Sequence, residues 1–271
     1  MLRDVFNINI SEGSIQNILN NMTGRTMPIY NRILEEIKDS RYVGSDETSA
    51  KVNGQKRWIW VWQNLKNTYI AASKSRGFET IKQIIGNSLP NVTLVSDRWA
   101  AQLKLNTKNK QICIAHLLRD LIFLIETEKS NWADHFQSLL FQSLSLRKEA
   151  EKRKLPFSHN EKTMFKLIHR LDRLLIHNID KDKFPKTHTF QRSILKNKNY
   201  LFTFLYELDV PPDNNASERA IRNIKVKQKV SGQFKTGQDA FCILRSAIDT
   251  FIKRDLNVLN NLQLIANFAP E

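Results

Sequence analysis

A chain of 271 residues with 42 lysines and arginines against 27 aspartates and glutamates has a formal net charge of +15, a surplus that suits a polyanionic partner, nucleic acid first. Hydrophobic residues make up 41%, with only 8 glycines and 7 prolines, which excludes a fibrous or largely disordered chain and predicts a helix-rich protein of one large or two ordinary domains. Two cysteines far apart, Cys113 and Cys242, exclude a disulfide framework; with no apolar leader after Met1-Leu2-Arg3-Asp4 and no run near the roughly 18 apolar residues of a membrane span, a reduced cytoplasmic protein is expected.

Residues 1 to 40 read as short helices, a periodic run from Gln16 to Met22 and another from Ile29 to Ile37, with Ser11 and Ser14 as candidate caps. Joined by a glycine-containing turn, they are either a helix-turn-helix reader of DNA or a bundle covering the next domain. Gly13 is too little to fix a recognition helix, and covering is the favoured reading.

From Arg41 the period changes. Tyr42 to Thr48 reads as a strand, Asn53-Gly54 as a two-residue hairpin turn, and Arg57 to Trp62 as an interior strand, because Trp58, Trp60 and Trp62 alternate with Ile59 and Val61. Asn67 to Ala72 supplies a third antiparallel strand. A helix from Ser75 to Ile85 follows, then a turn at Asn87 to Pro90, a strand over Val92 to Asp97, and a strand over Gln111 to Ala115 that passes into a helix. Cys113 and His116 form a lone Cys-x-x-His, weak by itself as a zinc signal, and packing beside a strand end is the favoured reading.

Residues 130 to 205 carry no strand pattern. Trp132, Phe136, Leu139, Leu140 and Leu144 make one apolar stripe, Phe165, Ile168, Leu171, Leu174 and Leu175 a second, and Leu201, Phe202, Leu205 and Leu208 a third, the seams of an inserted helical bundle. Lys148 to Lys154 and Lys181 to Lys198 are expected to be solvated loops.

After Pro211-Pro212, the run Asp213-Asn214-Asn215-Ala216-Ser217-Glu218-Arg219-Ala220-Ile221-Arg222 reads as a helix capped by Asp213, with Asn214, Glu218 and Arg222 on one face. Arg219, Arg222, Lys225, Lys227 and Lys229 are candidate DNA-binding residues. If the segment is extended, the alternate lysines line one edge as a phosphate track, and Ser231-Gly232 and Lys235-Thr236-Gly237 follow. Ala240 to Phe251 is an apolar-faced helix, and Leu256 to Phe268 contains a last short one.

Three antiparallel strands, a helix, a strand, then strand and helix is the element order of the ribonuclease H-like fold, an α/β mixed sheet. Asp46 on the first strand and Asp97 at the end of the fourth fall where that fold sets acids side by side. Glu218 returns after the helical insertion. Expected segments are therefore 1–40 N-terminal helices, 41–128 first part of the core, 129–208 insertion and 209–271 second part of the core. Convergent carboxylates suit a pair of Mg²⁺ or Mn²⁺ ions that activate a water or 3′-hydroxyl at a phosphodiester. Asp46, Asp97 and Glu218 are thus the candidate catalytic and metal residues, with Asn214 or Asn215 orienting the Glu218 carboxylate or a water. The bland alternative is three acids in unrelated surface pairs.

The segments Val43-Gly44-Ser45-Asp46-Glu47-Thr48, Val52-Asn53-Gly54, Ser96-Asp97-Arg98-Trp99, Cys113 to Arg119, Asp213 to Arg222 and Ser231-Gly232 resemble, in the same order, the transposases of the insertion-sequence sixty-six family. The resemblance covers roughly residues 40 to 260. It implies an Asp-Asp-Glu triad on Asp46, Asp97 and Glu218, cleavage of element ends and transfer of their 3′-hydroxyls into target DNA in a bacterial cytoplasm, by a homo-oligomer that holds two ends. Full-length relatives carry an upstream helical segment and a four-cysteine zinc module with no counterpart here, which leaves a short copy, a partial reading frame or a core working with other element-encoded proteins. Competing readings are an inactive copy that only binds DNA, and a nuclease or resolvase with the same metal chemistry.

Overall fold

The computed structural model describes residues 7–234 and 237–267; the first six residues of the N-terminal segment, Lys235-Thr236 and Phe268 lie outside them. Helix α1 (Glu12–Lys38) is one continuous 27-residue helix, opened by Ser11, whose Oγ accepts the Ser14 amide at 3.0 Å. The expected turn between two short helices is absent, and the helix-turn-helix reading falls with it. Pro28 sits inside α1, and the residue whose carbonyl its ring crowds, four positions back, is Gly24. Tertiary packing holds the helix together across both. Tyr30, Ile33 and Ile37 are buried, the Tyr30 ring stacks on Tyr69 at 4.4 Å, and its hydroxyl donates to the Ile70 carbonyl at 2.8 Å. Covering the sheet is what this segment does.

The sheet is mixed and five-stranded, in the order β3-β2-β1-β4-β5, from β1 (Tyr42–Val52), β2 (Gln55–Gln63), β3 (Thr68–Ser73), β4 (Ser88–Ser96) and β5 (Asn106–Ile112). Strands β1, β2 and β3 pair antiparallel, and β4 pairs parallel with β5. Asn53 and Gly54 take φ of 46° and 75°, the left-handed pair that a two-residue turn matched to strand twist requires. As expected, β2 is interior: Ile59, Trp60, Val61 and Trp62 are fully buried.

Two strands differ from expectation. β4 begins at Ser88 and takes Pro90 into a register shift between Leu89 and Thr93, the kind of irregularity where a strand tolerates proline. β5 is Asn106–Ile112 rather than Gln111 to Ala115. Its polar, lysine-bearing first half suits an outer strand, and it ends before Cys113, which opens the next helix.

By chain packing the protein divides into two compact units, one of residues 1–40, 44–87 and 216–271, the other of residues 41–43 and 88–215. In the first unit, helix α2 (Phe78–Ile85) follows β3, and helices α9 (Asn215–Ser231), α10 (Gln238–Lys253) and α11 (Val258–Asn267) come after residue 214. Ala50, Val52, Ile59, Val61 and Ile70 bury one sheet face under Ala220 and Ile224 of α9, Phe234 and Cys242. Along β3, the Thr68 amide donates to Thr250 Oγ1 at 3.1 Å and the Ile70 amide to Ser246 Oγ at 2.9 Å. Hydroxyls of α10 thus satisfy backbone groups that an outer strand leaves open.

The second unit holds helices α3 (Ala100–Leu103), α4 (Ile114–Glu128), α5 (Asn131–Arg153), α6 (Lys162–Ile176) and α7 (Pro185–Lys196), a short turn at Lys198–Tyr200 and α8 (Thr203–Tyr206). Trp132, Phe136 and Phe190 meet at its centre, with Trp132–Phe136 and Phe136–Phe190 ring centroids 5.0 and 6.1 Å apart. The second stripe is shifted: Met164 and Leu167 are buried while Phe165 is 69% exposed. Lys148 to Arg153 continue α5, and Lys186 and Lys196 lie in α7, so those basic runs are largely helical rather than loops.

Arg147 braces this unit. Its guanidinium donates to the carbonyls of Phe204 at 2.5 Å, Leu208 at 2.5 Å and Val210 at 3.1 Å. Those acceptors are carbonyls in and just after α8, a helix too short to satisfy its own. The segment thereby fixed leads directly into Pro211-Pro212-Asp213.

Candidate metal and DNA site

Asp46 lies mid-way along β1, opposite Val61 on β2. Residues paired in an antiparallel ladder point to the same face, so Asp46 shares its face with Val61, and with Ala50 and Val52 four and six residues along β1. That is the face that α9 covers. The next acid turns the other way. Glu47 is opposite Trp60, and its nearly buried carboxylate takes Arg76 Nε at 2.5 Å.

Helix α9 starts where the proline pair stops the preceding chain. Asp213 Oδ1 accepts the Asn215 amide at 3.0 Å, satisfying one of the open donors of the first turn. Asp213 therefore caps, as expected, from one residue further out than a standard cap. Ala220 and Ile224 anchor the helix on the sheet, and Lys225 Nζ and Gln228 Nε2 reach the Ser49 carbonyl at 3.2 and 3.3 Å. Ten residues before Gln228, Glu218 sits half-buried in the first helical turn, where the helix dipole favours a carboxylate. Asp46 and Glu218 thus belong to one unit and to one side of its sheet.

The segment after Glu218 is helical throughout, so the extended lysine track is not formed; 3.6-residue periodicity scatters alternate residues around the axis. Helical spacing instead lines up Glu218, Arg222, Lys225 and Lys229 at i, i+4, i+7 and i+11. Arg219, Arg222, Lys227 and Lys229 are exposed, and Lys227 turns away to a cavity lined by Gln16, Phe234 and Phe241.

Asp97 follows β4 in the second unit. Its Oδ1 lies 2.7 Å from His116 Nδ1 in the first turn of α4, close in distance and charge, yet this buried oxygen receives no well-directed hydrogen bond. Cys113, fully buried, follows β5 and opens α4: its amide donates to the Ser96 carbonyl at 2.9 Å, and its sulfur accepts the Asn214 amide at 3.2 Å. Burial of the His116 ring works against its charge, but the Asp97 carboxylate and the Cys113 sulfur outweigh it and raise its pKa to about 10. Ligand atoms of Asp97, Cys113 and His116 all lie within 4.8 Å of one another. The Cys-x-x-His spacing was legible in the sequence; its third member was not, because it comes from another strand.

Carboxylate oxygens on half-buried positions are the donor set that a hard divalent cation accepts, and an Asp97 oxygen without a directed donor fits such an ion. The model of the transposase IS66 family matches residues 1–241. The chain belongs to that family. No curated protein matches it. The IS66-family span takes in Asp46, Asp97, Glu218, all of α9 and the Cys113–His116 pair, so each candidate residue lies in the transposase domain. No helix among the described residues is long and apolar enough to cross a membrane.

Proposed function

We propose that this chain is the catalytic core of a DNA transposase that cuts insertion-sequence ends and joins their 3′-hydroxyls to target DNA through Asp46, Asp97 and Glu218. The observation that carries the reading is the packing of α9 by Ala220 and Ile224 on the face of β1 and β2 that bears Asp46, which puts Glu218 and Asp46 on one side of the sheet. The strand order β3-β2-β1-β4-β5 supports a ribonuclease H-like core, in which the strands carrying Asp46 and Asp97 are neighbours.

In this reading the three carboxylates hold two Mg²⁺ or Mn²⁺ ions, which supply activation of the attacking hydroxyl and charge stabilisation on the leaving oxygen. Asp46, Asp97 and Glu218 would together be the protein ligands of those ions. Arg222, Lys225 and Lys229 continue the Glu218 stripe along α9 and receive the phosphate backbone, with Arg219 and Lys227 adding charge on the flanks. Asn214 and Asn215 position the start of α9 and so the Glu218 carboxylate. The active form is a homo-oligomer, since two ends must be held at once, and other element-encoded proteins assist it.

The test is joining of element-end oligonucleotides to plasmid DNA in Mg²⁺ or Mn²⁺. Metal-dependent joining by the wild type and its loss in Glu218→Gln are expected. Undiminished joining by that variant overturns the assignment of Glu218; cutting without joining points to a nuclease instead, and DNA binding with neither to an inactive copy.

A further inference from the structure

The cluster at Asp97, Cys113 and His116 is unlike a site for a hard cation alone. It brings one carboxylate oxygen, one sulfur and one imidazole nitrogen within 4.8 Å of one another. They come from the residue that follows β4, the residue that follows β5 and the first turn of α4. Magnesium takes oxygen ligands and has no use for the sulfur or the nitrogen, whereas zinc and cobalt take all three.

Two features mark the cluster as a ligand set rather than a chance meeting. His116 Nδ1 and Asp97 Oδ1 approach to 2.7 Å, and that carboxylate oxygen is buried. Cys113 is fully buried at the N-terminus of a 15-residue helix, with its sulfur held in place by the Asn214 amide. Arg119 Nη2, 3.3 Å from both ring nitrogens of His116, is a cation that opposes an ion here.

We propose that Asp97, Cys113 and His116 form a binding site for a thiophilic divalent cation of the zinc class, with three protein ligands and a fourth position for water. Binding needs no part of the catalytic reading. Its consequence does rest on that reading: an ion held here occupies Asp97 and competes with the ions of strand transfer.

Titration of the full chain with Co²⁺ tests the site, because a cobalt–thiolate bond has a near-ultraviolet charge-transfer band that carboxylate-bound cobalt lacks. The band is expected in the wild type and in Cys242→Ser, is displaced by Zn²⁺ but not by excess Mg²⁺, and disappears in Cys113→Ser. His116→Gln, at a partly exposed ring, should keep its circular dichroism and weaken cobalt binding about tenfold or more; it carries the test if Cys113→Ser does not fold. Cobalt binding without the band, a band that survives in folded Cys113→Ser, or unchanged affinity in His116→Gln overturns the proposal and leaves the carboxylate reading untouched. A band present in a protein that joins no DNA counts against the catalytic reading alone.

Discussion

Arg147 donates to the Phe204 carbonyl at 2.5 Å, and with the neighbouring bonds to Leu208 and Val210 it is the fastening between α5 and the segment that precedes α9. Replacing it with methionine keeps the packing of the stem and strands those carbonyls without donors. A loss of about 3 kcal/mol or more is expected in urea unfolding. Arg147→Lys should recover only part of it, since one ammonium cannot reproduce the fork of a guanidinium.

Lys253 gives a stability change with a defined sign. Its ammonium donates to Gln63 Oε1 and the Asn64 carbonyl, both at 2.7 Å, and to the Asn67 carbonyl at 3.0 Å, and burial brings its pKa down from 10.5 to about 8. Below pH 8 both folded and unfolded chains carry the proton, and the folded state bears the whole burial penalty. Between pH 8 and 10.5 the folded state sheds its proton first, so stability rises with pH through that window, by about 3 kcal/mol at most. Denaturant melts of wild type against Lys253→Met across pH 7 to 10.5 isolate this contribution. A difference between the two that does not change with pH would show the lysine to keep its ordinary titration.

Adjacent acids on opposite faces of β1 should separate by phenotype. Asp46→Asn is expected to lower metal-dependent joining at least about a hundredfold, the several kcal/mol that ion-held charge stabilisation supplies, with little change in melting temperature. Glu47→Gln, which breaks the pair with Arg76, should do the reverse and cost about 1–3 kcal/mol of stability while metal dependence persists. Joining rates and thermal melts on the two variants decide it.

Salt dependence of DNA binding tests the helical stripe. Each phosphate contact removed lowers the slope of log affinity against log salt by about 0.9. Arg222→Ala and Lys229→Ala should each show that loss across unrelated DNA sequences. Lys225→Ala should show less, because its ammonium is partly engaged with the Ser49 carbonyl. Identical slopes for all three variants and the wild type would remove α9 from the DNA path.

Much of this architecture was legible because short-range chemistry decides it. The Asn53-Gly54 turn, the alternation from Trp58 to Trp62 and the proline-stopped start of α9 are written in consecutive residues. What escaped was decided by tertiary packing. Pro28 and Gly24 argue locally against one long helix, yet the buried stripe of Tyr30, Ile33 and Ile37 overrides them. The polar half of β5 carries no strand signal of its own, because an outer strand has less need of apolar residues. The lysines at 225, 227 and 229 fit an extended edge and a helix equally well by spacing, and the anchors Ala220 and Ile224 settle the question. In the candidate site, the three acids and Cys-x-x-His were each visible, whereas the meeting of Asp97 with Cys113 and His116 depends on two strands pairing in register.

The hydroxyls of Ser246 and Thr250 and the phenol of Tyr30 occupy backbone groups of β3 at Thr68 and Ile70. Another chain therefore finds no ladder to extend there. A second copy of this protein cannot lengthen the sheet at β3, and high local concentration does not turn that edge into a seed for aggregation.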